Sequence, residues 1–547
     1  MKTRYSILIS FCTFLLVSNV ATAAPPASKG AERSNTAFDR VAEQQQRRET
    51  HTWLVSEQVA MGRGNPVSVS VSAAERLEID TARGESPERV GVAKTMTRGV
   101  SFGDVNLRAL KGSALARNTG ALMETKDGGY VFTAVLGSPE ATGIRVHFTG
   151  FRLADNAGVY LYTEDGQVFG PYTGRGPHGD GEFWSHTLVG DEVTLQLRHV
   201  GPASKADLAA TSFHIAGLAH LRPRFLGGAC SYNAECVVNL ACASNVSTAV
   251  AVAKDAVAHM QWISGPYVYF CSGGLVADTD DGSQIPYFLT ANHCLSRGKD
   301  AKNLETFFKL NTETGTVDVN CATGTCDDWR AHRADHPQAL RTLGASIRAT
   351  SRTSDYTLLE LKQAAPGGTQ FLGWDTATFE VANSDGADLF RISHPSGAPQ
   401  SYSEHDVDTS AGTCSSWPRG NWIYSKDTYG ATEGGSSGSP VVNSAGELVG
   451  QLSGGCGTNV NETCDFVSNR TVDGAFAAYF DDIASLLDPA PVQCTPETEV
   501  CNGVDDNCDG VVDEGCPAGG EPGDSCEANS ECNSGSCKGR RGAKVCR

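Results

Sequence analysis

Between residues 13 and 229 the chain has no cysteine, although the whole of it has 19. That excludes a disulfide-held module in its first two fifths. An excess of positive charge is also missing: 44 Lys and Arg stand against 63 Asp and Glu, a net charge of −19. Gripping a phosphate backbone needs clustered Lys and Arg, so nucleic acid is excluded as the main partner. Long apolar runs are missing too. The longest candidate lies between Tyr5 and Val20, with no Lys/Arg stop after it. A spanning helix needs roughly 20 apolar residues, so no integral membrane segment is expected.

The leader that is present has another meaning. A basic start (Met1-Lys-Thr-Arg4), a short apolar core and Ala21-Thr-Ala23 make residues 1–23 a secretory signal peptide. The protein is therefore expected outside the cell. Cys12 leaves with the signal, and the 18 cysteines that remain all lie between Cys230 and Cys546. An even number in an exported chain favours disulfides over free thiols. The 547 residues suggest three or four units at roughly 100–200 residues each. A charged fraction of 20% and a hydrophobic fraction of 40% fit a folded, soluble chain.

Those units can be placed. Residues 24–90 are polar and show no clear core pattern. Residues from about 100 to 220 alternate apolar and polar side chains between Gly, Asp and Asn turns, as in "GIRVHFTGFRLADNAGVYLYTEDGQ". Short strands with frequent turns predict a β-sandwich or jelly-roll-like unit. The cysteine-free stretch ends near 221–228. Residues 225–489 again read as strands, for example "YVYFCSGGLVAD" and "SPVVNSAGELVGQLSGG", closing on a helical pattern that stops at Pro489. Two cysteine-rich pieces follow, 494–516 and 524–547, joined by the spacer "PAGGEPG". The expected class is all-β.

Three motifs carry chemistry, in the order His, Asp, Ser. They are "FLTANHC" with His293, "TSDYTLLEL" with Asp355, and "TEGGSSGSPVV" with Ser437. A serine hydroxyl is a poor nucleophile without a neighbouring base, and the base needs a carboxylate to fix its tautomer. Gly435 and Gly438 allow a tight turn in which the N–H groups of Gly435 and Ser437 converge as an oxyanion hole. "GQLSGG" (450–455) reads as a strand edge able to pair with an extended peptide.

Together "FLTANHC", "SDYTLLEL", "GSSGSP" and "GQLSGG" resemble the chymotrypsin-fold (trypsin-like) serine peptidases, most closely the secreted bacterial lysyl-endopeptidase branch. The resemblance covers roughly 225–489. It implies a double β-barrel, with His293 and Asp355 on one barrel and Ser437 on the other, and a function as a secreted serine endopeptidase made as a proenzyme. Residues 24–224 would be its propeptide, with Arg224–Phe225 as the junction. Protein or peptide substrates would be the partners, with no cofactor for catalysis. Digestive relatives carry Asp before the nucleophile to capture a new N-terminus; Ser436 stands there, so that switch is not expected. For substrate binding the resemblance points to Ala431 at the pocket floor, to Ser453, Gly454 and Gly455 along the strand edge, and to Asp473 as the acid reading a basic (Lys or Arg) P1 residue, with Asp465 as runner-up. Trp422 or Tyr424 would supply the aromatic wall. It also implies a Cys271–Cys294 bridge, Cys456 or Cys464 as partner of Cys230, and Cys321 or Cys326 as partner of Cys236.

The tail suggests a metal. "EVCNGVDDNCDGVVDEGC" sets Asp505, Asn507, Asp509, Val511 and Asp513 at calcium-loop spacing, with Gly510 at the turn. Oxygen donors at alternate positions suit Ca²⁺. The twelfth position is Cys516, not Glu, so it is no EF-hand. Residues 494–516 resemble metal-binding repeats of secreted bacterial proteins. Cys526, Cys532, Cys537 and Cys546 suggest a two-bridge module suited to cell-surface or matrix attachment. The competing reading is a non-catalytic extracellular surface- or matrix-binding protein that uses these tail modules; a third is an esterase on the same triad.

Overall fold

The computed structural model describes residues 27–489, with breaks at 58–65, 83–84, 98, 104–114, 118–119, 223–232, 245, 281–282, 312–317, 322–324, 328–338, 380–383 and 415–416, and in the tail 537–540 and 543–546. One compact unit runs to Ile483 and a second covers 484–547. The leader, the Arg224–Phe225 junction, Cys230 and the five candidate Ca²⁺ ligands lie outside the described residues.

In chain order the elements are short strands β1 (Ser28–Lys29) and β2 (Glu32–Arg33), helices α1 (Arg40–Ser56) and α2 (Ala73–Asp80), and then β3 (Glu88–Thr95). Next come β4 (Gly120–Glu124), β5 (Tyr130–Gly137), β6 (Gly143–Arg152), β7 (Ala157–Tyr162), β8 (Val168–Tyr172), β9 (Glu192–His199) and β10 (Ser212–Leu221). Strands β8-β7-β9-β5-β4 make one sheet; β6, β10 and β3 make the facing one. Phe102, Phe132, Phe148, Phe151, Leu161, Leu195 and Ile215 fill the space between them. The alternation read from the sequence is the inward-outward period of this sandwich.

The sandwich begins earlier than the sequence suggested. Polar 24–90 holds two capped helices, α1 behind Asp39 and α2 behind a Ser72–Glu75 capping box, and contributes β3. Propensity hid them, because both helices are mostly exposed and carry little apolar pattern.

The first barrel consists of β11 (Val257–Ser264), β12 (Tyr267–Leu275), β13 (Tyr287–Ala291), β14 (Glu305–Phe308), β15 (Leu340–Leu343), β16 (Ala345–Ser351) and β17 (Tyr356–Leu361). It runs β14-β11-β12-β13-β17-β16, and β15, continuous with β16 through Gly344 at φ +76°, returns to β14. The second consists of β18 (Asp388–Ser393), β19 (Ser401–Val407), β20 (Trp422–Tyr429), β21 (Pro440–Val442), β22 (Leu448–Gly457) and β23 (Asn469–Ala475). Its ring β21-β18-β19-β20-β23-β22 closes on itself, because β22 pairs with both β21 and β23. Helix α3 (Phe476–Leu487) follows, with Phe476 and Phe480 against Trp374.

The boundary expected near 221–228 is not a gap between sheets. Strand β3 pairs with β10 on one side and with β12 on the other, so the sandwich sheet runs on into the first barrel. A buried charged cluster reinforces the seam. Glu305 of β14 accepts from the Thr187 backbone N–H (3.0 Å) and hydroxyl (2.7 Å), and lies 3.6 Å from Arg145 and 3.3 Å from Arg341. Burial alone would raise the Glu305 pKa; the two guanidinium groups outweigh it and hold it low. Residues 27–36 also strap back across the barrels: β1 pairs with Trp374–Asp375 and β2 with Gln370–Phe371.

The disulfides partly correct the expectation. Cys271–Cys294 is present, but Cys236 joins Cys464 rather than Cys321 or Cys326. Cys242 takes Cys321, and Cys414 takes Cys456. Among the described residues no helix is long and apolar enough to cross a membrane. In the tail, Cys537–Arg540 and Ala543–Cys546 form a hairpin with Cys537 opposite Cys546.

Candidate active site

His293 sits just past the end of β13, and Asp355 just before β17, its immediate neighbour in the sheet. Adjacent strands therefore deliver the two side chains together. The His293 Nδ1 lies 2.6 Å from Asp355 Oδ2, and the His293 backbone N–H donates to Asp355 Oδ1 at 2.8 Å. Two contacts fix the carboxylate against both ring and main chain. Asp355 has φ +51°, a left-handed conformation that Asp tolerates better than most residues. It is braced from the second barrel. Gln451 of β22 donates to Ser354 O at 2.9 Å and to Asp355 O at 3.3 Å, and the Tyr479 hydroxyl of α3 donates to Gln451 Oε1. The Cys271–Cys294 bridge anchors the turn beside His293 to β12.

Ser437 comes from the loop entering β21, across the cleft. Gly435 (φ +91°) and Gly438 (φ +80°) flank it. A Cβ on Gly435 would lie 2.1 Å from the Phe270 ring, and one on Gly438 2.2 Å from Thr290 Oγ1, so both positions require glycine. The loop is pinned to the first barrel: Ser272 N–H donates to Ser437 O at 2.9 Å, and the Ser272 hydroxyl to Gly435 O at 2.9 Å. Among the described residues the Gly435 and Ser437 N–H groups have no acceptor, which leaves both free for an incoming oxygen. Ser436 is fully buried and accepts from the Ser393 hydroxyl at 3.1 Å. Glu433, which the sequence reading passed over, holds the loop to 233–234 by accepting from Asn233 Nδ2 and the Ala234 N–H.

The Ser437 hydroxyl is occupied. Its Oγ lies 3.1 Å from Ser86 Oγ, in the segment leading into β3. The His293 Nε2 lies 3.7 Å from Cys294 Sγ, and among the described hydrogen bonds none joins it to Ser437. Cys271, His293 and Cys294 are close enough to suggest a metal group, but the two sulfurs are consumed in the disulfide.

A cleft of about 670 Å³ opens at Ser437. Gly454 and Gly455 line it as expected, but Ser453, also expected there, is buried and does not line it. Four further expectations need correction. Asp473 does not reach the cleft; it is wholly buried, with Oδ1 2.7 Å from the equally buried Arg391 Nη2. In β23 it points into the second barrel, where only a charged partner makes it tolerable. Ala431 is 1% exposed and does not line the cleft, and Asp465 is tied to Asn459 and Ser468. Trp422 and Tyr424 pack with Cys456 and Val472 in a core cluster instead of forming a wall.

Of the acids that line the cleft, which also include Glu433 and Glu462 of the same domain, Asp427 of β20 is the one with an open carboxylate oxygen beside a buried histidine. Its Oδ1 lies 2.7 Å from His405 Nδ1 and accepts from the Thr471 hydroxyl at 2.6 Å. Oδ2 has no partner among the described residues, and the side chain is 12% exposed. Burial pushes its pKa up, but His405 and Thr471 outweigh this and hold it below the ordinary carboxylate value. No motif marks it in the chain, since it lies ten residues before the nucleophile in an unremarkable strand.

Comparison with known proteins agrees with this geometry. Residues 231–468 match the family model for the lysyl endopeptidase C-terminal domain. A lysyl endopeptidase of Pseudomonas aeruginosa is 27% identical over 329 residues, which cover 56% of this chain and 63% of that relative. Among solved structures, the HtrA-type protease AlgWS227A with tripeptide aligns at TM-score 0.31 and 15% identity, over 44% of this chain and 64% of the other. The Rv3671c protease of M. tuberculosis in its active form aligns at TM-score 0.28 and 13% identity, over 45% and 86%. These structural likenesses are remote, and the fold rests on the strand pairings. With its two facing barrels and its match to the family model, the stretch 231–468 is a chymotrypsin-fold serine-peptidase domain similar to that of the lysyl endopeptidases.

Proposed function

We propose that the protein is a secreted serine endopeptidase, made as a proenzyme with 24–224 as its pro-region, that cuts after basic residues. The observation that carries the reading is the 2.6 Å His293–Asp355 contact on one barrel, facing a glycine-framed Ser437 on the other. In this reading His293 Nε2 takes the Ser437 hydroxyl proton as Oγ attacks the peptide carbonyl. Asp355 holds the ring tautomer and balances the imidazolium. The N–H groups of Gly435 and Ser437 receive the oxyanion; one such donor is typically worth about 10²–10³ in turnover. Collapse of the tetrahedral intermediate breaks the C–N bond, and the proton on Nε2 passes to the leaving amine. Water then resolves the acyl-enzyme by the same route in reverse.

Selection of a basic P1 residue is assigned to Asp427. Its unpaired Oδ2 in the cleft offers an anionic acceptor to a lysine or arginine side chain. Export follows from the leader, and Ca²⁺ binding at 505–513 from the oxygen-rich spacing of the tail. Calorimetry on the full chain, with and without Asp509→Asn, tests the last point; equal Ca²⁺ heats would remove it.

The reading is tested by a fluorophosphonate probe of serine hydrolases. The processed protein should be labelled at Ser437 and should lose label and peptide hydrolysis together in Ser437→Ala. Hydrolysis that survives in Ser437→Ala would refute it.

A further inference from the structure

The strap that crosses the barrels lies on a surface shaped to receive it. Residues 27–38 run over 365–376, part of the link between the last strand of the first barrel and the first strand of the second. Ser28 stands opposite Asp375 and Lys29 opposite Trp374; Glu32 stands opposite Phe371 and Arg33 opposite Gln370. The Thr376 N–H donates to Ala27 O at 3.0 Å, and the Ser34 N–H to Thr369 O at 3.0 Å. The hydroxyls of Ser34 and Thr36 both donate to Ala365 O, at 3.2 and 3.0 Å. From the loop before β13, Gln284 donates to Arg33 O at 2.9 Å and accepts from the Asn35 N–H at 2.8 Å. Two glycines of the link complete the fit. Neither Gly367 nor Gly373 has a positive φ, so no turn demands glycine at either position. A Cβ on Gly373 would collide with Lys29 O and lie 2.6 Å from Ala31 N; one on Gly367 would lie 2.5 Å from Phe38 Cβ and from Thr36 O. At both positions the three nearest atoms belong to the strap. The link is bare there because another backbone lies against it.

We propose that the outer edge of 365–376 is a docking groove for the peptide 27–38, separate from the cleft, by which the pro-region grips the catalytic domain a second time. This rests on the proenzyme reading above. None of the strap residues lines the cleft. The inner edge of the link is already taken: Trp374 pairs with Leu448 of the second barrel, and Leu372 bridges to Val276 beside the first. The floor of the groove is therefore held by the catalytic domain itself. Once the strap leaves, the N–H and C=O groups that faced it are open to an extended chain. Main-chain pairing alone would accept any sequence. Buried Ser34, with its hydroxyl on Ala365 O, and Glu32, which accepts from Gln284 Nε2 at 2.8 Å, select the native one. The cleft contact at Ser86 and the strap belong to one chain, so each holds the other at high local concentration.

Fluorescence anisotropy with a labelled peptide of residues 27–38 tests this, with Ser437 replaced by Ala in the full chain and blocked by a fluorophosphonate in the processed protein. A full chain shortened by residues 24–38 should bind the peptide saturably, and so should the processed protein. The intact full chain, whose own strap fills the groove, should not. Gly373→Val should weaken binding at least tenfold. Methylation of the Ser34 nitrogen in the peptide should do the same and leaves the protein untouched. No saturable binding, equal binding of the methylated peptide, or equal binding of a scrambled peptide overturns the inference. The second grip has its own readout. As the active full chain processes itself, Gly373→Val should release the cut pro-region at least tenfold faster on size-exclusion chromatography, with hydrolysis of short peptides unchanged. Equal release overturns the grip. A parent chain that never sheds 24–224 overturns the proenzyme reading instead, and the shortened full chain still reads the groove.

Discussion

The Asp473 position separates a structural acid from a specificity acid. Arg391 and Asp473 meet at 2.7 Å with neither side chain exposed, and the remaining Arg391 contacts are to Ser439, at 3.2 and 3.4 Å. In Asp473→Ala the guanidinium stays buried without its direct ion-pair partner, with only the more distant Asp427 carboxylate left near it. Breaking a buried pair in this way costs about 3–5 kcal/mol, because the orphaned charge has lost its hydration. Set against a typical stability of about 5–15 kcal/mol, that is a large fraction. For a domain of this size, about 2–4 °C per kcal/mol gives a fall in Tm of about 6–20 °C. The assay is thermal unfolding in a Ser437→Ala background, which removes autolysis as a complication. Replacing both partners (Arg391→Met with Asp473→Leu) should recover much of the loss, since the desolvation penalty goes with the charges. At a temperature where Asp473→Ala is folded, the ratio of lysine to leucine peptide hydrolysis should stay within about twofold of the parent. A variant that melts like the parent but has lost its preference for lysine would refute the reasoning and return Asp473 to the cleft.

Asp427→Asn should do the opposite: kcat/KM for lysine and arginine peptides falls about 10–100-fold, or about 1.4–2.8 kcal/mol, while peptides with neutral P1 residues are barely affected. An unchanged P1 profile would dismiss Asp427. Acid should weaken the full chain. His220 and His394 are buried and His186 half-buried, and desolvation holds each at a pKa of about 4 against 6.5. Above pH 6.5 both states are neutral and the stability is complete. As pH falls from 6.5 towards 4 only the unfolded chain takes the proton, so about 1.4 kcal/mol per pH unit is lost for each histidine. Denaturant midpoints of Ser437→Ala at pH 7 and pH 5 measure it, and equal midpoints would refute it.

The three catalytic boxes could be read from the chain because each is local. "GSSGSP" announces a turn that only glycine allows, and Gly435 and Gly438 do fill positions where a Cβ would collide with Phe270 or Thr290. What the sequence could not show was which distant group faces each charge. Asp473 and Asp427 are both single acids in strands of the second barrel. One points inward to Arg391, 82 residues earlier; the other opens on the cleft beside Thr471, which comes from the neighbouring strand. The strand period of two tells that a residue faces one side, but not whether that side is core or cleft.

The seam with the N-terminal region was hidden for the same reason, on a larger scale. A composition boundary near residue 225 is real, since cysteine is absent before it and frequent after it. Composition, however, reports the history of a segment and not its neighbours. Glu305 illustrates this. Within its own barrel it has Arg341 and Gln261, which leaves a fully buried carboxylate only partly matched; the Thr187 and Arg145 groups from the sandwich complete it. A buried acid that needs donors from both sides of a supposed domain boundary shows that the two sides fold against each other. The same logic explains why Ser86 can reach Ser437 at all: β3 is fixed in register between β10 of the sandwich and β12 of the first barrel, so the residues just before it are delivered to the cleft by strand pairing, with no separate docking step.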